Sequence, residues 1–498
     1  MISGYQTRVS RLLDQLVLPG ERLATKVAGD TSVGSVTDRL SDVVPGCAFF
    51  AIRGRSVDGH GFVAEALSRG AALAVVDREQ SYLSHDRVAQ VPCTRAALAR
   101  AACRWHGDPS SALRLVGVTG TNGKSTTTYL LRQAWDGLGL ASGLIGTVET
   151  WVGERRMDSA LTTPDALTLQ SLFADMRDAR ASLGAVEVSS IALDQSRTLG
   201  TRFAVGVFTN LTRDHLDYHG DMEAYLRSKL SLFEEHAVGA SVVNLDDPAG
   251  AKLYSRLEGG IRLGISWTES SAAIRVLGSE PTPHGVEAVF ATPQGEISLR
   301  SPLVGRHNVT NLATVLGACL ALEIPLAGAA RALESASGAP GRLERVPTPE
   351  GGPRVFVDYA HSEDALENVL RSLRQWKGGG PGRILTVFGC GGDRDRGKRP
   401  RMAAVASAWS DVTVVTSDNP RTEDPLGIVD EIAPGLDRRR TEAHLEVDRG
   451  RAIGLALGMA GPDDWVLIAG KGHETYQIVG TRKIAFDDRQ VVRDHYRR

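Results

Sequence analysis

The sequence predicts an α/β protein of three domains, each built on a largely parallel sheet with helices packed on it. Three observations point there. Short apolar runs recur, and each stops abruptly at a polar or glycine-rich loop: "LRLVGVTGTNG", "GAVEVSS", "AVGVFTNLTRDH", "SVVNLDD", "RVFVDYAH", "RILTVFGCGGDRD", "DVTVVTSDNPR" and "WVLIAGKGHE". Runs of Val, Ile, Leu and Phe with helical stretches between them are the pattern of strands buried on both faces of a parallel sheet. The chain has 498 residues, too many for one core at about 100 to 200 residues per domain. Composition also shifts twice, at "HGDPSS" (106–111) and at "SGAPGR" (337–342). The domains are therefore expected at 1–108, 109–338 and 339–498.

Totals exclude several classes of function. Hydrophobic residues make up 42% and charged residues 23%, as in ordinary soluble globular proteins. Lys plus Arg number 57 against 59 Asp plus Glu, so no bulk basic field favours DNA, RNA or an acidic membrane. A nucleic-acid motor would need a basic track that this balance does not supply. Small-molecule partners remain. Five scattered cysteines, none in a C-x-x-C pair, indicate neither a zinc knuckle nor a disulfide framework and fit a reducing compartment. The stretch "MISGYQTRVSRLLDQLVLPG" lacks an apolar segment of signal-peptide length, and no run reaches the roughly 18 residues of a membrane helix. A cytoplasmic monomer is the expectation.

The first motif with chemistry is "VGVTGTNGKSTTTYLL", residues 116–131. It follows G-x-x-x-x-G-K-[ST], as a variant with five residues between Gly117 and Gly123. A strand over Leu113–Val118 and a helix over Thr126–Trp135 are expected on either side. In that setting the backbone of Gly120, Thr121, Asn122 and Gly123 closes around phosphate oxygens, and the helix that opens near Thr126 points its positive end at them. Lys124 reaches the terminal phosphates and Ser125 ligates Mg²⁺. A glycine turn with a solvated lysine is the bland alternative; the strand before and the helix after argue against it.

Further along, Glu187 ends an apolar strand, where a carboxylate is ordinarily a cap or an ion-pair member. Lys229 in "DMEAYLRSKLSLF" reads as a solvated helix lysine. Asp246, Asp247, Asn308 and Asn311 read alone as loop turns, because Asn and Asp favour them. Arg197 reads as a surface ion pair. "DNPR", Asp418 to Arg421, is a turn in isolation, yet it follows a strand expected over Val412–Thr416 and so projects from the edge where open α/β sheets bind ligands.

An ordered series of motifs runs nearly end to end: "VVPGCAFFAIRGRSVDGHGF", "GVTGTNGKSTTT", "GLIGT", "LTTPD", "EVSS", "FTNLTRDHLDYHGDMEAYLRSK", "NLDDP", "GRHNVTNLA", "GRLE", "DYAH", "FGCGGDRDRGKRP", "SDNPRTEDP" and "AGKGHETYQ". In this the chain resembles the Mur ligases, ATP-dependent amide-forming enzymes of peptidoglycan precursor synthesis. Within that family it is most similar to the branch that adds the third residue of the peptide. The resemblance implies an N-terminal UDP-binding α/β domain, a central P-loop ATPase-like domain and a C-terminal Rossmann-like domain that binds the amino acid. It implies ATP and Mg²⁺ as cofactors, and UDP-muramyl dipeptide and diaminopimelate as substrates. The acceptor carboxylate would take the γ-phosphoryl group of ATP, and an amine would then displace phosphate.

Residue roles follow from the same resemblance. Glu187 and Lys229 would hold metal with Ser125, Lys229 as a carbamate. Asn308, Arg342, Asp358, Lys398 and His361 would lie on the nucleotide side, the last two delivered when the third domain closes on the central one. Thr162, Thr163, Ser189 and Arg197 would contact the UDP-sugar peptide. Arg394, Asp418, Asn419, Arg421, Gly470 and Glu474 would form the amino-acid pocket. A planar guanidinium at Arg421 suits a distal carboxylate that diaminopimelate has and lysine lacks, and Glu474 would answer the distal ammonium.

Three positions depart from the family pattern. Ile191 stands where a metal-assisting histidine is usual, and a hydrocarbon cannot ligate a metal. The uracil loop Asp-Ser-Arg aligns with Arg39-Leu40-Ser41, for which Thr37-Asp38-Arg39 offers a shifted substitute. Glu363 replaces a proline after "DYAH", a minor loop change. These departures leave two alternatives open at the level of sequence: a paralogue that joins a diaminopimelate-like amine to another acid, and a non-catalytic ATP-binding regulator.

Overall fold

The computed structural model of the chain describes residues 7–8, 12, 24–25, 31–54, 56–77, 85–282 and 285–497. They form two compact units. The first comprises residues 1–275, 291–295 and 313–332; the second comprises 276–290, 296–312 and 333–498. No described helix is long and apolar enough to cross a membrane.

Among the described residues, the first unit holds two larger sheets and an antiparallel pair of Thr7–Arg8 with Ser32–Val33. Near the N-terminus, Ser35–Thr37, Cys47–Phe50, Leu73–Val76 and Val88–Gln90 pair in parallel, with Ala24–Thr25 antiparallel at one edge. Cys47–Phe50 and Leu73–Val76 are buried along their whole length, the condition read from such unbroken apolar runs. The helix Thr94–Trp105 buries Ala97, Leu98 and Ala101 against that sheet. Asp108, in the left-handed region at φ 49°, precedes a short 3-10 turn, Pro109–Ala112.

The second sheet of this unit is the larger one. Ser142–Ile145, Leu183–Glu187, Arg114–Thr119, Arg202–Phe208, Ala237–Asn244 and Ile261–Ser266 lie side by side and parallel, with Glu149–Val152 and Arg155–Asp158 added antiparallel beside Ser142–Ile145. Gly117 faces Val186 on one side and Gly206 on the other, and Val118 faces Glu187. A Cβ at Gly117 would come 2.8 Å from the Phe203 ring, so glycine is what lets that ring pack.

In the second unit, Arg354–Asp358, Trp465–Ala469, Ile384–Cys390, Val412–Ser417 and Glu442–Leu445 form a parallel sheet, with Glu344–Val346 antiparallel beside Arg354–Asp358. Helices cover both faces. Leu366, Leu370 and Leu373 of Glu363–Lys377, with Met402 and Ala406 of Lys398–Trp409, pack on one face. Ala452, Ile453 and Ala456 of Arg449–Met459, with Val492 of Asp488–His495, pack on the other. The expected α/β class and strand positions hold to within a residue or so at each end. The helix after the phosphate loop is the largest shift. It runs Lys124–Gly137 rather than 126–135, because Gly123 takes a left-handed φ of 86° at the cap and lets helical geometry begin at once.

A buried ion pair joins the last helix of the second unit to the helix Arg449–Met459. Arg449 donates through Nε to Asp488 Oδ1 and through a terminal nitrogen to Oδ2, both at 2.7 Å, with neither side chain exposed to solvent. Removing one partner strands a buried charge. Asp488→Ala should therefore lower the stability of this unit by about 3–5 kcal/mol, read from its denaturant midpoint, whereas Arg449→Met with Asp488→Leu should cost much less.

Candidate active site

The phosphate loop is braced from the next strand. After Arg202–Phe208, Thr209 donates through its hydroxyl to Asn122 O at 2.6 Å, and Asn210 accepts at its side-chain oxygen from Asn122 N–H at 2.9 Å. Thr121 N–H donates to Asn210 O at 2.8 Å, and Thr212 N–H donates to the Thr121 hydroxyl at 3.0 Å. The Tyr225 hydroxyl lies 3.1 Å from that same Thr121 hydroxyl. Gly120 sits at φ 144°, and a Cβ there would collide with Thr209 Oγ1. None of these bracing residues was singled out from sequence, although "FTNLT" carries Thr209, Asn210 and Thr212.

Two lysines converge on Gly120. Lys124 donates to Gly120 O at 2.9 Å and to Thr121 O at 2.8 Å, and Lys229 donates to Gly120 O at 2.8 Å. Lys229 is 1% exposed, which overturns its reading as a solvated helix lysine. Its helix Met222–Glu234 turns Tyr225, Lys229 and Leu232 to the core, and its ammonium lies 4.3 Å from the Tyr225 ring centre. Burial holds Lys229 well below the usual lysine range, the Lys124 charge adds to that, and Asp214 opposes both. A lysine held neutral is a nucleophile.

Glu187 is fully buried at the end of its strand. Its oxygens accept from Ser125 Oγ at 3.0 Å, Thr147 N–H at 2.9 Å and Thr147 Oγ1 at 3.0 Å. Around it, Thr163 Oγ1 donates to Glu187 O at 2.7 Å and accepts from Ser189 N–H at 3.0 Å, while Arg197 donates to Thr163 O at 2.7 Å. The Thr162 hydroxyl meets that of Thr147 at 3.0 Å. Thr162, Thr163, Ser189, Arg197, Ser125 and Glu187 are thus one connected group. Arg197 belongs to it and makes no surface ion pair among the described residues. Ser125 and Glu187 offer oxygen donors only, the set a hard cation such as Mg²⁺ prefers, and a carbamate on Lys229 would add two more. The residues fit the ion.

Asn308 is buried, and its amide links Val304 O at 2.8 Å to the Asn311 side chain at 3.0 Å. Asp246 and Asp247 keep their turn roles: Asp246 accepts from Trp267 N–H, and Asp247 caps the helix Pro248–Arg256. Ile191 lies in the helix Ser190–Asp194. Arg39 pairs with Asp165 at 3.4 Å on the surface, and Thr37 Oγ1 accepts from Arg39 N–H at 3.0 Å.

In the second unit the functional side chains gather at the carboxyl ends of the strands, as the topology requires. Asp358 accepts from Leu343 N–H at 2.6 Å and Ala360 N–H at 2.8 Å, so it pins the turn that carries Arg342. The Arg342 guanidinium lies 4.8 Å from the Tyr359 ring centre. Lys398 donates to His361 O at 2.7 Å. Arg342, Asp358, His361 and Lys398 are therefore neighbours. Glu363, at the first turn of its helix, pairs with Arg401.

The amino-acid side is tighter. Arg421 takes φ 52° and is held there by its own N–H to Ile478 O at 3.0 Å and by Gly480 N–H to Arg421 O at 2.7 Å. Its guanidinium donates to Gly392 O at 2.8 Å. Asn419 donates to Glu474 Oε2 at 2.9 Å. Gly470 sits at φ 116°, where a Cβ would come 2.8 Å from Asp418 Oδ2. Burial pushes the Asp418 carboxyl up, with Arg449 and Lys471 opposing. Arg394 stands exposed on the loop after Ile384–Cys390. Sequence reasoning passed over Lys471, which is fully buried beside Glu474.

Known proteins resemble this chain along nearly its whole length. The Mur ligase middle domain matches residues 118–319, the Mur ligase glutamate ligase domain matches 341–472, and the Mur ligase family catalytic domain matches 41–106. The chain is 42% identical over 478 residues to the UDP-N-acetylmuramoyl-L-alanyl-D-glutamate–2,6-diaminopimelate ligase of Gloeobacter violaceus, covering 95% of each chain. It is 44% identical over 471 residues to the ligase of that name from Xanthomonas campestris pv. campestris, covering 94% of each. A solved structure of a ligase of that name superposes with a TM-score of 0.74 at 30% identity over 99% of both chains. The MurF ligase of Thermotoga maritima, solved with ADP, shares the fold at a TM-score of 0.60 and 16% identity, over 93% of this chain and 96% of that one.

Gly120→Ala should weaken the loop by about 1–3 kcal/mol through the strained φ and the clash with Thr209. ATP-analogue titration and thermal melts of this variant and of Gly120→Ala with Thr209→Ser or Thr209→Ala check it: removing the hydroxyl should restore part of the loss, and retaining it should not.

Proposed function

This chain belongs to the Mur ligase family, and we propose that it joins diaminopimelate to UDP-N-acetylmuramoyl-L-alanyl-D-glutamate, with cleavage of ATP to ADP and phosphate. The observation that carries the choice of amino acid is the Asp418–Arg421 tetrapeptide. It leaves the Val412–Ser417 strand with Arg421 locked by two backbone bonds and with Asn419 bonded to Glu474. A fixed guanidinium and a nearby carboxylate match the carboxylate and ammonium at the far end of diaminopimelate.

A carboxylate oxygen of the acceptor attacks the γ-phosphorus of ATP, the bond to ADP breaks, and an acyl phosphate results. The diaminopimelate amine then attacks the acyl carbon, phosphate leaves, and the nitrogen loses a proton as the amide forms. Lys124 and the loop backbone over 120–125 neutralise and orient the phosphates, the main requirement of such chemistry. Ser125, Glu187 and a carbamylated Lys229 would hold Mg²⁺, which when bound offsets phosphate charge. Thr162, Thr163, Ser189 and Arg197 orient the acceptor peptide. Asn308, Arg342, Asp358, His361 and Lys398 serve the nucleotide. Segments 1–108, 109–338 and 339–498 divide the work among acceptor, nucleotide and amino acid. We place the enzyme in the cytoplasm as a monomer. Full-length likeness to ligases and a retained loop, Glu187 and Arg421 favour this reading over a regulator or a paralogue.

Incubation of the protein with ATP, the UDP-linked dipeptide and a panel of diamino acids, with product read by mass, tests this: diaminopimelate should be joined and lysine should not. Arg421→Ala should weaken use of diaminopimelate by about 2–4 kcal/mol with little change in KM for ATP, whereas Lys124→Ala should abolish ADP formation with any acceptor. Because burial holds the Lys229 amine well below the usual lysine range, labelled bicarbonate should give a carbamate carbon resonance that Lys229→Ala lacks.

A further inference from the structure

We propose that Lys471 is a positioning residue of the amino-acid pocket, its buried ammonium holding the Asn419 amide and the Glu474 carboxylate in the orientation that receives the distal end of the diamine. The proposal rests on the reading of the pocket given above. Lys471 is fully buried, and an ammonium taken out of water is costly unless it is paired and bonded. It donates to Glu474 Oε2 at 2.9 Å and to Asn419 Oδ1 at 3.1 Å, and lies 3.9 Å from Asp418 Oδ1. Glycines at φ 116° and φ 51° flank it. A Cβ at Gly472 would come 2.7 Å from Tyr359, so the loop backbone is fixed in the shape that turns Lys471 inward.

Two consequences follow from the donor and acceptor inventory. Asn419 Oδ1 accepts from both Lys471 and Ile478 N–H, the latter at 2.9 Å. That forces its Nδ2 toward Glu474, at 2.9 Å, and leaves one amide proton over. Glu474 uses Oε2 for both Lys471 and Asn419, so its carboxylate is pinned by one oxygen while Oε1 stands outside these bonds. Glutamine at 471 could bond but supplies no charge, and methionine fills only the volume.

The test uses the full chain with ATP, the UDP-linked dipeptide and diaminopimelate, and compares Lys471→Met, Lys471→Gln, Glu474→Gln and the Lys471→Met, Glu474→Gln pair. In Lys471→Met the KM for diaminopimelate should rise about ten-fold or more, with KM for ATP and dipeptide within about two-fold and kcat within about three-fold. The double variant should be no worse than Glu474→Gln alone. Unchanged KM for diaminopimelate, additive losses, or equal losses for all three substrates would overturn the role. Should Lys471→Met melt below the assay temperature, Lys471→Arg decides: a KM raised for diaminopimelate and not for ATP or dipeptide supports the role, and unchanged KM overturns it. A wild-type protein that does not turn over diaminopimelate overturns the functional reading and this proposal together. Turnover by the wild type with unaltered KM in the variants overturns this proposal alone.

Discussion

One register in a parallel sheet fixes the nucleotide chemistry. Val118 pairs with Glu187 on one neighbour, and Thr119 pairs with Phe208 on the other, so three strands end at one level and their loops leave from one edge. The phosphate loop, the Glu187 carboxylate and the Thr209–Thr212 brace meet because of that alignment. A slip of one residue would turn Glu187 to the opposite face of the sheet and leave a carboxylate among apolar side chains without the hydroxyls that now satisfy it. The same logic operates in the second unit, where Asp358 pairs with Ala469 and Cys390 with Ser417, bringing Arg342, Gly470 and Asp418 to a common edge.

Burying lysine has two outcomes here, and the partners decide which. Lys229 meets a carbonyl oxygen and an aromatic ring, neither of which carries a full negative charge, and Lys124 is close enough to repel its ammonium. Burial among such partners shifts the amine toward its neutral form. Lys471 instead meets the Glu474 carboxylate at hydrogen-bond distance and Asp418 beyond it, so its charge is part of the pocket. The same residue type thus reaches a carbonyl oxygen and a ring in one unit and a carboxylate in the other.

Much of this was legible in the sequence. Unbroken apolar runs gave the strands, because a strand covered on both faces has no polar side to interrupt it. The phosphate loop followed from glycines and a lysine between a strand and a helix, whereas Glu187 was marked only by resemblance to the family. What escaped was whatever depends on contacts between segments far apart in the chain. Lys229 sits in a helix of mixed composition, and only packing against Tyr225 and Gly120 makes it a core residue. The two oxygens of Asp358 hold the N–H groups of Leu343 and Ala360, contacts between segments that no local pattern shows. Lys471 lies between glycines, and no local pattern shows which way the loop will turn it. Thr209 and Asn210 look like an ordinary loop, and their role lies in carbonyl and amide groups of another loop.

The departures from the family pattern fall where the surrounding frame does not need the missing side chain. Ile191 lies in a short helix whose start is capped by the Ser189 hydroxyl accepting from Ala192 N–H at 3.2 Å. That helix is held by Ser228 Oγ donating to Ser190 O at 2.6 Å and by His219 Nε2 at 3.0 Å from Ser190 Oγ. None of those bonds involves the side chain at 191, so a hydrocarbon there removes a donor without shifting Ser125, Glu187 or Lys229. Glu363 goes further than tolerance: at the first turn of a helix capped by Ser362, a carboxylate meets the positive end of the backbone dipole, and Arg401 gives it a second partner. Proline at that position would supply neither interaction.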